Sequence, residues 1–281
     1  MTDDRSAVPG APGSDEPDDA AGGAIDTTVP HSARIWNYWL GGKDNYEVDR
    51  MAGDAYVKVY PGIVEVARGG RSFIARAVGY LALEEGIRQF LDVGTGLPTV
   101  DNTHELAQRA APASRIVYVD NDPLVLAHAR ALLTSTPEGA TDYVDADMHD
   151  PAAILARAAA TLDLSQPVAL MLIGVLGHIE DDDEARSIVR DLMAGLPSGS
   201  FLALYDGVEF IPQEFTEAQQ GYDDTGAVPY KIRGREQVER FFDGLELVAP
   251  GLVRCAQWRP DAAQGSPGPD VPTLAGVARK P

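Results

Sequence analysis

The stretch "FLDVGTGLPT", Phe90 to Thr99, decides the fold. An apolar run ends in Asp92 and passes at once into Gly94-Thr95-Gly96. Such a run reads as a buried strand, and the two glycines permit a tight turn with close backbone approach to a ligand. An ordinary strand-to-helix turn could use the same glycines, so the surroundings carry the reading.

Moving outward, short β-rich runs recur at Ile87–Val93, Ser114–Asp120, Thr141–Asp147, Pro167–Val175 and Gly199–Asp206. Helical patterns separate them. "NTHELAQRA" opens with Asn102 three before Glu105, a capping box. "DPLVLAHARALL" and "DPAAILARAAA" each begin with the Asp-Pro pair expected at a helix start, and "DDEARSIVRDLMAGL" completes the set. This alternation predicts an α/β fold: a mostly parallel sheet with helices on both faces. Farther on, "REQVERFF" reads as a helix, "LELVAPGLVRCAQW" as one strand region and "TLAGVARK" as a last strand.

The flanks differ. Residues 1–30 hold seven acids (Asp3, Asp4, Asp15, Glu16, Asp18, Asp19, Asp26) and one base, with almost no large apolar group. Such a segment buries too little surface to offset its ordering entropy and is expected to be a disordered acidic tail. "RPDAAQGSPGPDVP", Arg259 to Pro272, reads as a surface loop. Residues 31–85 are helix-rich and are expected to form an N-terminal cap, with the core at 86–281.

The 281 residues carry a formal charge of −20, and outside the tail 36 acids still face 22 bases. That balance repels phosphate backbones, so neither nucleic acid nor an anionic membrane is the expected partner. The lone cysteine, Cys255, excludes an intrachain disulfide and suits a reducing compartment. No apolar run is long enough to span a bilayer and no secretory leader pattern opens the chain, so the expected location is the cytoplasm.

In an open parallel sheet, ligands bind beyond the strands' carboxyl ends beside the first strand. Asp92, Gly94, Thr95 and Gly96 belong to that place. Asp120, with Asn121 beside it, ends the second strand, where a carboxylate can accept from two ribose hydroxyls. Asp147 and Met148 end the third run, where an acceptor and an apolar side chain could hold an adenine ring. Two cofactors compete. A dinucleotide fingerprint needs a third glycine where Thr99 stands, and its pyrophosphate would meet Asp92. S-adenosylmethionine, with a sulfonium, an ammonium and no phosphate, suits these acids better.

Taken together, "FLDVGTGLPT", "VYVDNDPLVLAHARALL" and "DADMHDP" look like class I methyltransferase motifs. With "RIWNYWLGGKDNYEVDR", "FFDGLELVAPGLV" and the closing "GVARKP", the chain resembles the actinobacterial S-adenosyl methyltransferase family, long known only as a domain of unknown function. The resemblance runs from Arg34 to Pro281. It implies a class I, Rossmann-like fold of seven strands with the last antiparallel, binding S-adenosylmethionine; it supplies no substrate. The chain departs from the family pattern at Gly70, where Asn is expected before Arg71, at Gly177, and at Tyr205-Asp206, where a Ser-His pair is expected. These departures lie on the expected acceptor side.

"ARIWNYWLGGKDNYEVDR", Ala33 to Arg50, is not a phosphate loop, because Asn37 and Asp44 occupy positions that need Gly and Ser or Thr. It reads as two helices meeting at Gly41-Gly42, the second capped by Asp44 with Glu47 three later. On a helical wheel Ile35, Trp36, Trp39 and Leu40 share one arc and Arg34, Asn37 and Tyr38 the other. One reading is a hairpin stapled to the sheet by its tryptophans. The other gives Arg34, Asn37, Tyr38, Lys43, Asp44, Asn45 and Arg71 to a lid that meets the cofactor or acceptor.

The five histidines form no metal pattern, and "EDDDE", Glu180 to Glu184, reads as a helix N-terminus. His104 and His128 read as structural. His178, following the fourth strand, is the candidate catalytic residue, as general base or to orient the acceptor, although many methyl transfers need only desolvation and in-line approach. The expected function is therefore methyl transfer to a small molecule. A non-catalytic cofactor-binding regulator and, more distantly, an NAD-dependent oxidoreductase are the alternatives.

Overall fold

A computed structural model describes residues 26–99, 101–132, 134–260 and 270–281. Most of the expected acidic tail, and positions 261–269 of the expected Pro/Gly loop, lie outside the described residues.

In chain order the elements are α1 (Ser32–Trp39), α2 (Glu47–Val59), α3 (Ile63–Leu83), β1 (Gln89–Val93), α4 (Thr103–Ala110), β2 (Arg115–Asp120), α5 (Pro123–Leu132), β3 (Ala140–Asp145), α6 (Pro151–Ala158), β4 (Ala169–Ile173), α7 (Asp182–Ala194), β5 (Phe201–Val208), α8 (Gln213–Asp223), α9 (Arg235–Glu239), β6 (Glu246–Leu247), β7 (Val253–Arg254) and β8 (Thr273–Arg279). The strands form one sheet in the order β3-β2-β1-β4-β5-β8-β6, with β7 also paired to β8. The first five are parallel, and β8 runs antiparallel to β5. β1 lies between β2 and β4, so the strand order reverses beside it, and ligands bind at such a switch point.

The sheet has eight strands where seven were expected. The region read as one strand is two short pieces, β6 and β7, both antiparallel to β8. Between them stand Pro250, which has no N–H for a ladder, and Gly251 at φ +92°.

Alternation along the strands builds two cores. Phe90, Ile116, Tyr118, Met171 and Ala203 face one side, against α3 and the N-terminal helices. Leu91, Val93, Val117, Leu170 and Leu202 face the other, against α6 and α7. Burial on both faces explains why the parallel strands read as continuous apolar runs. The helix starts follow the chemistry of their first residues. Asp122 accepts from Leu124 N at 2.8 Å, Asp150 from Ala153 N at 2.9 Å, and Asp181 from both Asp183 N and Glu184 N at 2.9 Å.

The segment 31–85 divides by packing. α3 buries Phe73, Ala77, Val78 and Leu81 against the sheet and is part of the layered core. α1 packs on α2 and α3, and α2 packs on α8, which the sequence reading had not marked as a helix.

The turn between α1 and α2 is also corrected. Gly41 takes φ +82°, as a glycine turn requires. However, α2 begins at Glu47, and Asp49, not Glu47, returns to the helix start, accepting from Tyr46 N at 2.8 Å. Asp49 is wholly buried and pairs with Arg34 Nε at 2.9 Å, which makes it a better cap than the exposed Asp44. Among the described residues no helix is long and apolar enough to cross a membrane.

Candidate active site

A cleft of about 330 Å³ opens at the carboxyl ends of β1, β2, β4 and β5 and runs under α1 and α8. That volume lies in the range of small-molecule sites. All eight residues expected to hold the cofactor line it: Asp92, Gly94, Thr95, Gly96, Asp120, Asn121, Asp147 and Met148.

The glycine turn is built for close approach. Gly94 has φ +73°, and a Cβ there would stand 2.1 Å from Val175 Cγ2. Gly96 has φ +63°, and its N–H donates to Asp120 Oδ2 at 2.9 Å. Asp120 Oδ1 accepts from Asp122 N at 3.0 Å, so one carboxylate ties the end of β2 to the turn after β1. Thr95 Oγ1 lies 2.8 Å from the Tyr143 hydroxyl. Asp147 and Met148 fall just beyond β3, and Asp147 accepts from His149 N at 2.9 Å.

Asp92 is 6% exposed and accepts from Thr103 Oγ1 at 2.6 Å. Burial pushes its carboxyl up to about 6, against the opposing pull of that hydrogen bond and of the Arg71 guanidinium. Burial also raises Asp120 above the ordinary carboxylate range. Asp147 is more exposed, and its bond from His149 N lowers it. Arg71, on α3, lines the cleft and donates to Asp101 O at 2.7 Å.

Most of the residues expected in the lid are not brought to the cleft. Arg34 is buried in its pairing with Asp49 and donates to Asp26 O and Val29 O. Tyr38 turns away, its hydroxyl donating to Asp54 at 2.7 Å. Lys43 is exposed. Asp44 and Asn45 build the turn, with Asp44 N and Asn45 Nδ2 donating to Asn37 Oδ1 at 3.1 and 3.0 Å. Of that set only Asn37 and Arg71 line the cleft. The arc that faces it is the apolar one, Ile35, Trp36, Trp39 and Leu40, so the wheel separated the arcs correctly and the roles are exchanged.

His178 lies on the short 3-10 turn after β4 and lines the cleft. Its Nδ1 is 3.2 Å from Pro229 O. A carbonyl only accepts, so Nδ1 carries the proton and Nε2 is left as an acceptor. Burial lowers the ring's pKa, which keeps it neutral at neutral pH. His104 is buried against the Tyr118 hydroxyl at 2.9 Å, away from the cleft lining.

Two contributors to the cleft were not read from the sequence. α8 brings Phe215 and Tyr222, and the loop after it brings Tyr230. Phe215, Ala218 and Tyr222 have helical spacing, which was the available signal; Tyr230 carries no local signal. Asp206, expected on the acceptor side only as a departure from the family pattern, lines the cleft at the end of β5 and is 1% exposed. The positions expected to depart from the family pattern, Gly70, Gly177 and Tyr205-Asp206, cluster here. Gly70 lies under the Tyr205 ring, with 3.3 Å from its would-be Cβ to Tyr205 Cε1, and a Cβ at Gly177 would enter the Tyr230 ring. Among the described residues no group of three or more His, Cys, Asp or Glu is arranged to hold a metal.

Comparison with known proteins identifies the family and the fold. A family model described as S-adenosyl methyltransferase matches residues 18–281. A solved protein of that once-uncharacterised family (DUF574) from Streptomyces avermitilis MA-4680 is 49% identical, with TM-score 0.87, covering 92% of this chain and 100% of its own. A Thermobifida fusca YX protein, provisionally named a methyltransferase, is 40% identical with TM-score 0.81, covering 91% of this chain and 96% of its own. No functionally curated protein matches the sequence.

Proposed function

The chain belongs to the S-adenosyl methyltransferase family, and from that premise we propose how its cleft divides the work of methyl transfer to a small molecule. The protein is an S-adenosylmethionine-dependent methyltransferase with a class I fold. One observation carries the assignment of residues. Acids and glycines from three separate strand ends converge on one cleft, and Asp120 already holds the Gly96 amide at 2.9 Å.

The donor set fits this cofactor better than a dinucleotide. Asp92 and Asp120 are buried carboxylates beside the glycine turn, and they favour a cation and hydroxyl donors over a pyrophosphate. In this reading Asp120 accepts from the ribose hydroxyls and the Gly94–Gly96 backbone lies under the amino-acid portion. Asp92 with Arg71 faces the charged ammonium and carboxylate, and Asp147 with Met148 borders the adenine. When bound, S-adenosylmethionine supplies an electrophilic methyl group on a sulfonium. The protein's part is to exclude water with the aromatic arc of α1 and with α8, to align the acceptor in line with that methyl, and to receive a proton at His178 Nε2.

Calorimetric titration with S-adenosylhomocysteine tests the assignment. Asp120→Ala removes a charged acceptor and should weaken binding roughly 10- to 100-fold, in line with about 1.5–3 kcal/mol for such a bond. Unchanged affinity in that variant, or equal affinity of the wild type for NAD, would overturn it.

A further inference from the structure

Beyond the cofactor end, the cleft continues into a chamber beneath the cap. Aromatic side chains line much of it, among them Trp36, Trp39, Tyr56, Phe215, Tyr222 and Tyr230. At the carboxyl end of β5, Asp206 joins this lining. Its Oδ1 accepts from Gly207 N at 2.6 Å and from the Tyr230 hydroxyl at 3.4 Å. Its Oδ2 has no hydrogen-bond partner among the described residues, although the Leu176 amide is near enough to favour the charged form. A buried carboxylate oxygen without a partner is costly, and such a group points to a missing donor.

The chain's own cations do not meet that need. Arg71 is the single Lys or Arg lining the cleft among the described residues, and it sits by Asp92. Arg233 stands behind Asp206, but its nitrogens donate to Asp182, to Leu176 O at 2.8 Å and to Ile179 O at 2.5 Å. Burial lifts Asp206 to about 6, so at neutral pH it is ionised without a bonded cation.

Ring faces attract cations, and a buried carboxylate pairs with them. An anionic acceptor would be repelled by Asp206 and Asp92. An alcohol could donate to Oδ2 but would gain little from the rings. We propose that this chamber is the acceptor site for an amine: a mostly apolar small molecule that enters as an ammonium, is held at Asp206 between the aromatic walls, and is methylated on nitrogen. This rests on the methyl-donor reading above.

The geometry also places a base beside the chamber. His178 stands edge-on to the Tyr230 ring, 5.1 Å between centroids, and the Tyr230 hydroxyl reaches Asp206. The ammonium gives one proton to His178 Nε2, and the freed nitrogen lone pair forms the N–CH₃ bond. The S–C bond breaks as it forms, and its electron pair remains on sulfur, leaving a neutral thioether. The product is a methylated ammonium, still a cation beside Asp206, and the histidine returns its proton to solvent.

The test uses full-length protein saturated with S-adenosylhomocysteine and three probes of similar shape: 2-phenylethylamine, 2-phenylethanol and 3-phenylpropionate. Quenching of tryptophan fluorescence reports binding, because Trp36 and Trp39 line the chamber. The amine should bind at least about tenfold more tightly than the alcohol, which is about 1.4 kcal/mol, and the carboxylate more weakly than both. Asp206→Asn should erase the amine's advantage and leave S-adenosylhomocysteine affinity unchanged within about twofold. Equal binding of alcohol and amine by the wild type, or a preference retained in Asp206→Asn, overturns the proposal; the wild-type comparison decides even if the variant fails to fold. Absence of S-adenosylhomocysteine binding would instead overturn the methyl-donor reading, and this inference with it.

Discussion

Asp120 and Gly94 show how single residues make the cofactor end. Asp120 bridges two backbone amides, so its carboxylate is fixed before any ligand arrives, and little ordering remains to be done on binding. Gly94 is constrained by both its left-handed backbone and its contact with Val175. Gly94→Ala should cost about 3 kcal/mol by strain and overpacking together, measured by denaturant unfolding. A loss below about 0.5 kcal/mol would contradict that close approach.

Asp206 makes the opposite trade. Its shift from 3.8 to about 6 corresponds to a penalty on the order of 3 kcal/mol on the ionised folded state. The folded chain keeps this proton to higher pH than the unfolded chain does. Between about pH 4 and 6 the folded state therefore binds more protons, and stability falls as pH rises through that window. Asp206→Asn removes the effect. The melting temperature of the variant relative to wild type should rise between about pH 4 and 6 and level off above that; a difference constant with pH would show that Asp206 is not a strained acid.

At the scale of elements, the hairpin of α1 and α2 is a structural device with one functional face. Arg34, Asp49 and Asn37 hold the turn together, and this frees the apolar arc of α1 to roof the cleft. Asn37→Ala leaves the Asp44 amide without its acceptor and Asn45 Nδ2 with Gly42 O alone, and should lower stability by about 1–3 kcal/mol in denaturant unfolding. Tyr38→Phe and Lys43→Ala lie outside the cleft and should leave S-adenosylhomocysteine affinity within about twofold of wild type in calorimetry. A larger change would return the polar arc to the lid.

For the whole molecule, what was legible followed from local rules. The βα alternation, the Asp-Pro helix starts and the Gly-x-Gly turn each depend on neighbours in sequence, and they placed Asp92, Asp120 and Asp147 on one cleft. The acceptor side depends on contacts between distant segments. Asp206, Tyr230 and His178 meet only after the segment 209–232 folds back against the turn that follows β4; no spacing announces that meeting, and only the family resemblance had put Gly177 and Asp206 on the acceptor side. The helical wheel separated the two arcs of α1, but which arc turned inward was decided by Asp49, fifteen residues from Arg34. The split of the sixth strand, by contrast, has a local cause in Pro250 and Gly251, and only the pairing of both pieces with β8 depended on a later part of the chain.

The central claim is that the donor sits at the β1–β2 end with its sulfur toward the aromatic chamber. A crystal structure of the protein with S-adenosylhomocysteine tests this most directly. The account predicts ribose hydroxyls within hydrogen-bond distance of Asp120, the homocysteine over Gly94–Gly96, adenine beside Asp147 and Met148, and sulfur facing Trp36 and Asp206. Density for the ligand elsewhere, or with its adenine among the aromatic rings and its ribose away from Asp120, would contradict it.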